Sequence, residues 1–236
     1  MRNGFSVGVT LLVILMTRPC SAEGADDSLL SYAVNVHQTP MQTWGPGYGI
    51  YLGKGFFITA AHVAGRTWLT RPKISILDQE YPTHVVKEGS FESTDLTLLS
   101  VEEELLPMRL RLRRNPLCSD PPWPGEDVVT VVPEGTARSR ILSPGKLPAS
   151  VRKLNTVIAD VAQTGNSGSG VFDAHRRCLL GIMSRKISQT RRMPTGKTET
   201  RDIAKYFVPA STIREFMPAD ITLLISSRRN TTDWSP

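Results

Sequence analysis

Cysteine is scarce in this chain, with three residues among 236, at positions 20, 118 and 178. Cys20 lies in an N-terminal segment that resembles an export signal, so Cys118 and Cys178 alone remain in the mature chain. They are enough for one disulfide, which would fit an oxidising compartment. The alternative is a pair of unpaired, buried thiols.

Long apolar runs are also lacking. The longest mostly apolar stretch, residues 4–16, is well short of the roughly 20 residues that a membrane-spanning helix needs. Arg2 precedes it, and Cys20, Ser21 and Ala22 supply small residues at the positions that a signal peptidase recognises. We therefore expect residues 1–22 to be a signal peptide cleaved after Ala22, leaving a secreted or periplasmic protein without stable membrane insertion.

The net charge of the chain is small, and one segment holds an excess of basic residues. Removal of Arg2 and Arg18 leaves 26 Lys+Arg against 22 Asp+Glu, a net charge of +4. Residues 185–201 hold six basic residues against one acidic residue, but no aromatic residue that could stack on a base. We expect a solvated loop there and no nucleic-acid partner, although an anionic polymer remains an alternative ligand.

Alternating long helices are absent from the pattern. Short segments rich in β-branched and aromatic residues recur between Gly, Pro and Asp clusters, which predicts an all-β sandwich or barrel. These segments are SYAVNV, GYGIYL, GFFITA, KISIL, DLTLLSV, MRLRLRR, DVVTVV, TVIADV, SGVF, LLGIM and KYFVP. The segment STIREFM predicts a late helix, and NPLCSDPPWPGED, with four prolines, predicts an ordered crossover between two β-rich halves.

One stretch, DVAQTGNSGSGVFD, concentrates three glycines and two serines within residues 165–170. Such a cluster indicates a backbone that turns sharply or approaches something closely. Ser167 lies in its middle, and a serine nucleophile needs a base and a group that orients the base. His62, at the end of GFFITAAHV, and Asp95, just before an apolar strand, are the candidates.

The order His62, Asp95, Ser167 is that of one branch of serine hydrolases. ITAAHV, TDLTLLSV and TGNSGSGVFD resemble the histidine, aspartate and serine motifs of trypsin/chymotrypsin-like serine peptidases, most closely the bacterial HtrA-type and glutamyl endopeptidase branches. The separations of 33 and 72 residues are of the size that the family shows. The resemblance implies two six-stranded antiparallel β-barrels with a short C-terminal helix, and the His-Asp-Ser chemistry of a serine endopeptidase without a cofactor or metal.

The resemblance also assigns roles. Ser167 would be the nucleophile, His62 the general base and acid, and Asp95 the group that orients the imidazole. The backbone N–H groups of Gly165 and Ser167 would form the oxyanion hole. Gly168 would leave room beside the nucleophile.

The side-chain pocket would be lined on two sides. The residues are Val161, Ala162 and Thr164 before the nucleophile, and Met183, Ser184, Arg185 and Lys186 on the strand that pairs with substrate. By the same resemblance, Ser184 would also accept a hydrogen bond near the buried aspartate. Val161 stands where trypsin has the aspartate that binds Lys and Arg, so poor cleavage after Lys or Arg is expected. The pocket predicts small or medium apolar side chains, with Glu or Asp as the alternative because of Arg185 and Lys186.

The expected domain organisation follows. Residues 23–217 would form the peptidase domain, with barrels at about 30–115 and 125–210, and residues 218–236 a C-terminal tail. No peptide-binding PDZ module is expected. Asn166 replaces the aspartate that in digestive enzymes pairs with a new N-terminus, so activity should need only removal of the signal. The alternatives are a silent binding protein on the same fold and an esterase or peptidase of cell-envelope material; the oligomeric state stays open.

Overall fold

The computed structural model describes residues 23–38, 47–159, 167–193 and 196–226. Most of the regular structure is antiparallel β. The strands are β1 Ala33–His37, β2 Gly47–Gly53, β3 Phe56–Thr59, β4 Lys73–Ile76, β5 Gln79–Pro82, β6 His84–Glu88, β7 Thr97–Ser100, β8 Asp127–Val132, β9 Gly135–Arg140, β10 Val157–Ala159, β11 Gly170–Asp173, β12 Leu179–Arg192 and β13 Thr198–Pro209. The helices are α1 Glu23–Leu30, α2 Ala61–Ala64, α3 Thr67–Thr70, α4 Met108–Arg111, α5 Ala210–Phe216 and α6 Ala219–Ser226.

The N-terminal half forms a sheet in the order β5-β4-β1-β2-β3-β7-β6. Its two outer strands, β5 and β6, are separated only by Thr83, so they are one bent strand that pairs with β4 at one end and β7 at the other. Counted this way, six strands close into a barrel.

The C-terminal half forms a second sheet in the order β10-β13-β12-β11-β8-β9. An antiparallel bridge between Ile141 and Ile158 joins the end of β9 to the other outer strand, β10. The Leu142 N–H donates to the Val157 carbonyl at 2.7 Å beside this bridge. The second sheet therefore also curves back on itself, and the predicted fold class of two antiparallel barrels is confirmed.

The largest core cluster lies between the two sheets. Strand β2 shows how alternation builds it, because Ile50 and Leu52 point into this cluster while Tyr51 points into the core of the first barrel. Phe172 of the second sheet meets Ile50 and Leu52 there, and all are fully buried. The segments around His62 and Ser167 are held at this junction of the barrels.

The C-terminal end contains two helices where the sequence indicated one. Helix α5 matches the predicted STIREFM segment. Helix α6 lies within the predicted tail, and its Ile221 and Ile225 are buried in the cluster between the sheets. These residues are part of the packed fold, as is α1, which the sequence did not predict; residues 1–22 and 227–236 lie outside the described residues.

Two sequence predictions were wrong. The segment MRLRLRR alternates like a strand but begins with α4, whose helical turn buries Leu110 and leaves Met108 and Leu112 exposed. Pro107 precedes the helix. A single buried leucine fits the two-residue repeat of a strand as well as the roughly 3.6-residue repeat of a helix, so the sequence pattern did not distinguish them. The expected loop at 185–201 is a β-hairpin, because β12 and β13 pair as far as Arg192 and Thr198.

Candidate active site

His62 lies on the short helix α2, which follows strand β3 at the junction of the barrels. Its neighbours Ala60 and Ala61 are buried, and their small side chains leave room for the imidazole. About a third of the His62 side chain is exposed, at 32%. The ring is thus held by the protein on one side and accessible to a substrate on the other.

Asp95 lies two residues before the start of strand β7 and is 2% exposed. Its carboxylate lies 2.9 Å (Oδ2) and 3.0 Å (Oδ1) from His62 Nδ1. The His62 backbone N–H donates to Oδ1 at 3.1 Å, and the Ser184 hydroxyl donates to Oδ2 at 2.5 Å. The expectation that Ser184 accepts a hydrogen bond here was wrong for the contact with Asp95, because a carboxylate oxygen has no proton to donate. Burial alone would raise the pKa of the Asp95 carboxyl, but the hydrogen bonds from His62 and Ser184 more than offset it, so this pKa lies below its ordinary value.

Ser167 follows the segment 160–166, which lies outside the described residues. Its hydroxyl donates to the Ser184 carbonyl at 3.1 Å, and its own carbonyl accepts from the Tyr48 N–H at 3.1 Å. Ser184 therefore contacts two of the three candidate residues: its hydroxyl donates to Asp95, and its carbonyl accepts from Ser167. This one residue of β12 brings the segment at Ser167 and the His62–Asp95 pair into one site.

Gly168 explains part of the glycine cluster. It has a φ of +88°, a left-handed conformation that favours glycine, and a Cβ there would lie 1.8 Å from the Tyr48 carbonyl oxygen. Its N–H donates to the Met183 carbonyl at 2.8 Å. The turn that presents Ser167 is consequently pressed against β2 on one side and β12 on the other.

An aromatic and a cationic side chain flank the imidazole. The Phe91 ring meets the His62 ring edge-on, with centroids 5.4 Å apart. The Arg185 guanidinium lies 4.3 Å from the Phe91 centroid and 5.9 Å from that of Tyr206, and it donates to the Phe91 carbonyl at 3.0 Å. Phe91 was missed from the sequence, because a single aromatic residue in the polar segment GSFES carries no motif.

The predicted pocket residues are only partly placed. Val161, Ala162, Thr164 and Gly165 lie outside the described residues. Met183 and Ser184 are buried on β12, Arg185 is half-buried, and Lys186 is exposed, with its Nζ 3.0 Å from Asp202 Oδ2. The structure thus brings one wall of the predicted pocket to Ser167.

Cys118 and Cys178 form the predicted disulfide, with Cα atoms 5.0 Å apart. The bond ties the proline-rich crossover to the residue before β12. Of the residues that the structure describes, no three His, Cys, Asp or Glu side chains are grouped in a way that could hold a metal ion. In the same part of the chain, no helix is both long and apolar enough to span a membrane.

The sequence model of the trypsin-like peptidase domain matches residues 47–182. This match covers more than half of the chain and includes all three candidate residues. The chain belongs to the trypsin-like peptidase family. The resemblance that the motifs show, to trypsin-like peptidases, is thereby confirmed.

Solved structures share the fold at low identity. The serine endoprotease from Yersinia pestis is 17% identical, with a TM-score of 0.57 over 84% of this chain and 65% of that chain. The HtrA-type protease AlgW, solved with a tripeptide, is 18% identical, with a TM-score of 0.59 over 87% of this chain and 64% of that chain. The active form of the Rv3671c protease from M. tuberculosis is 16% identical, with a TM-score of 0.56 over 91% of this chain and 92% of that chain. This trypsin-like peptidase thus spans slightly less than two thirds of the first two, and no curated protein matches it.

Proposed function

We propose that this trypsin-like peptidase is an exported endopeptidase that cleaves proteins through Ser167, His62 and Asp95. The observation that carries the proposal is the contact of His62 Nδ1 with both oxygens of the buried Asp95 carboxylate, at 2.9 and 3.0 Å. With the proton held on Nδ1, the other ring nitrogen, Nε2, is left as an acceptor. An imidazole in that tautomer is the base that serine catalysis requires.

In the proposed mechanism, the Ser167 hydroxyl turns from the Ser184 carbonyl towards His62 when substrate binds. Ser167 Oγ attacks the scissile carbonyl while His62 Nε2 takes its proton, and Asp95 stabilises the resulting imidazolium. His62 then gives the proton to the leaving amine, and an acyl group remains on Ser167. Water, deprotonated by His62, releases the acid and restores the hydroxyl.

The oxyanion of each tetrahedral intermediate would be bound by the backbone N–H groups of Gly165 and Ser167. Such donors each contribute about 10²–10³ in rate. The position of Gly168 supports this role for Ser167, because the close approach of the turn to Tyr48 fixes the backbone that carries the Ser167 N–H.

For the residue before the scissile bond, we propose a small or medium apolar side chain such as Val, Ala or Leu. Met183 supplies an apolar wall, and Val161 and Ala162 would supply the other. The two cations that favoured an acidic residue are already engaged, Arg185 with Phe91 and Lys186 with Asp202. A digest of a peptide library should therefore show cleavage after apolar residues; dominant cleavage after Lys or Arg refutes this pocket, and cleavage after Glu that Lys186→Ala abolishes supports the acidic alternative.

Export is supported by the disulfide and by the apolar segment 4–16, and a protein or peptide is the expected partner. Expression of the full chain with its N-terminus, followed by N-terminal sequencing of the mature form, tests cleavage after Ala22. A mature protein that still begins at Met1 contradicts the export proposal.

Hydrolysis of an unfolded protein tests the function. The purified mature chain should degrade casein, and Ser167→Ala and His62→Ala should each lower the rate by about 10⁴–10⁶, since the members of such a triad act as a unit. A Ser167→Ala protein as active as the parent contradicts the assignment. A parent without activity on casein or on small esters supports a silent binding protein.

A further inference from the structure

The paired strands β12 and β13 continue well beyond the barrel. We call their outer part, residues 188–193 and 196–202, the arm. Within it Ser188 pairs with Asp202, Thr190 with Thr200 and Arg192 with Thr198. The described side chains of the arm are all exposed, so the arm projects into solvent from the strand that carries Ser184.

The two faces of the arm differ in charge. One face carries the hydrogen-bonded pairs Ser188–Asp202 and Thr190–Thr200 together with Arg192 and Thr198, so its one cation and its one carboxylate balance. Because side chains alternate along a strand, the other face carries Gln189 and Met193 with the charged residues Arg191, Lys197, Glu199 and Arg201. Three cations against one carboxylate make this the basic face. Among the described residues, none of these three cations takes part in an ion pair.

One edge of β12 is open along the arm. Strand β11 pairs with β12 only as far as Ile182, and the turn at Gly168 and Ser169 continues the contact to Met183. From Ser184 to Arg192, no other strand in the described ranges pairs with this edge. The edge starts beside the nucleophile, because the Ser184 carbonyl is 3.1 Å from Ser167 Oγ.

The family resemblance already implies that substrate pairs with β12 beside Ser184. We propose that the outer part of this open edge, from Ser188 to Arg192, and the basic face bind an extended, acidic segment of the substrate several residues before the bond that is cut. The proposal rests on the proposed function and names the class of substrate that it favours: unfolded chain with Asp and Glu residues several positions before the cleaved bond. Addition of a strand to a free edge gives affinity through the backbone, and side chains give selectivity.

The direction follows from the sheet. All strand pairs of the second sheet are antiparallel, and an antiparallel addition lets the substrate run from Ser167 towards Arg192 with its N-terminal part outermost. Eight residues separate Ser184 from Arg192, which at about 3.3 Å per residue is roughly 26 Å of edge. A substrate strand of about eight residues therefore fits before the cleaved bond.

Charge selects the occupant. A basic extension would meet Arg191, Lys197 and Arg201 across the exposed face and be repelled, whereas an acidic one would form ion pairs there. Exposed pairs are individually weak and screened by salt, so the preference should be modest and fall as ionic strength rises. Nucleic acid is a poorer occupant, because the basic face has no aromatic side chain for base stacking.

The test compares peptides with one shared cleavage site. One short peptide has three residues before the cleaved bond. Three longer peptides have eight residues there, and their five N-terminal residues are acidic in one, neutral in another and basic in the third. We expect kcat/KM to increase about tenfold from the short to the acidic peptide, less for the neutral one, and not at all for the basic one. Arg191→Glu/Arg201→Glu should lower kcat/KM on the acidic peptide about fivefold and leave the short peptide unchanged.

Arg109→Glu/Lys73→Glu is the control for charge, because it makes the same change of charge on the first barrel. Since it also breaks the Lys73–Glu80 ion pair, its thermal unfolding is measured beside that of the arm variant. This control should not alter the preference for the acidic peptide. Unchanged thermal unfolding of the arm variant shows that it is folded.

Each contrary outcome is distinct. Cleavage of the short peptide with equal kcat/KM for all extensions overturns the arm proposal and leaves the proposed function standing, whereas no cleavage of any peptide removes both. A dimer that Arg191→Glu/Arg201→Glu dissociates would assign the edge to a second copy. Binding of poly(U) RNA that the same variant abolishes, without an effect of acidic extensions, would assign it to nucleic acid.

Discussion

At the scale of single residues, Asp95 is the most constrained group in the site. Both carboxylate oxygens accept hydrogen bonds, and its pKa is held below the ordinary value despite burial, by His62 and Ser184. An acid with a depressed pKa contributes its interaction above the ordinary pKa and loses it only when the pH falls through the lower one. Asp95 therefore stays ionised at neutral pH, and loss of activity between pH 7 and 5 should not come from its protonation.

Asp95→Asn should lower kcat by about 10⁴, because the amide can donate to Nδ1 and favour the wrong imidazole tautomer. The rate on a chromogenic peptide measures this. Asp127→Asn removes an exposed carboxylate from its pair with Arg140 and should change the rate less than twofold. An Asp95→Asn enzyme with a tenth of the parent rate would show that Asp95 does not orient the base.

Gly168 and Gly125 offer a matched pair of glycines. Both have a positive φ, +88° and +91°, but a Cβ at Gly168 meets the Tyr48 carbonyl at 1.8 Å while a Cβ at Gly125 meets nothing within 4 Å. Gly125→Ala should cost about 1 kcal/mol of stability. Gly168→Ala should cost more, about 3 kcal/mol, and remove most activity by displacing Ser167. Equal losses in chemical denaturation would show that φ alone matters.

At the scale of elements, the sequence predicted best where the barrel core decides the pattern. Strands β2, β3, β7, β8 and β11 are apolar runs bounded by turn residues. Three of them, β3, β7 and β11, each have one end beside the candidate site. The predictions failed where a segment has little core to meet. Helix α4 buries a single leucine, and the arm is polar on both faces, so neither shows the periodicity that identifies an element.

Glu126 of the crossover lies near Asp173 at the end of β11, and its carboxyl should make stability depend on pH. Burial raises the pKa of Glu126, the Trp123 N–H opposes the rise, and the nearby Asp173 carboxylate adds to it. The folded protein therefore keeps a proton on Glu126 at pH values where the unfolded chain has released it. The free energy of unfolding accordingly decreases as the pH rises from the ordinary value of 4.5 to the raised one.

Glu126→Gln removes that titration. The free energy of unfolding of the variant, relative to that of the parent, should therefore increase as the pH rises from 4.5 to the raised pKa, and the difference should persist at higher pH. Urea denaturation at several pH values measures the difference. Glu104→Gln, on the exposed side of the first barrel, should follow the parent at every pH. A Glu126→Gln protein that loses stability relative to the parent as the pH rises would show that burial of the Glu126 carboxyl does not cause the pH dependence.

At the scale of the whole molecule, two barrels meet at one core cluster and the site lies at their junction. His62 and Asp95 come from the first barrel and Ser167 and Ser184 from the second. The motifs predicted the first three residues, because each has a recognisable local context. The hydroxyl and carbonyl of Ser184 that join them depend on how the barrels pack, and the sequence alone indicated only the hydroxyl contact.

The disulfide acts at this scale, because Cys118 and Cys178 are 60 residues apart. Closing a loop of that length stabilises a protein by about 4 kcal/mol in the chain-entropy model. Cys118→Ala/Cys178→Ala should lose an amount near this in urea denaturation. Two titratable thiols in the oxidised, denatured parent would show that the bond does not form.

The most direct test of Ser167 as the nucleophile is the site of reaction with a fluorophosphonate, which forms a covalent bond with an activated serine. The mature protein should gain one adduct, and peptide mapping should place it on Ser167, with no labelling of Ser167→Ala and little of His62→Ala. Equal labelling of the parent and Ser167→Ala, or an adduct mapped to another serine, would contradict the account.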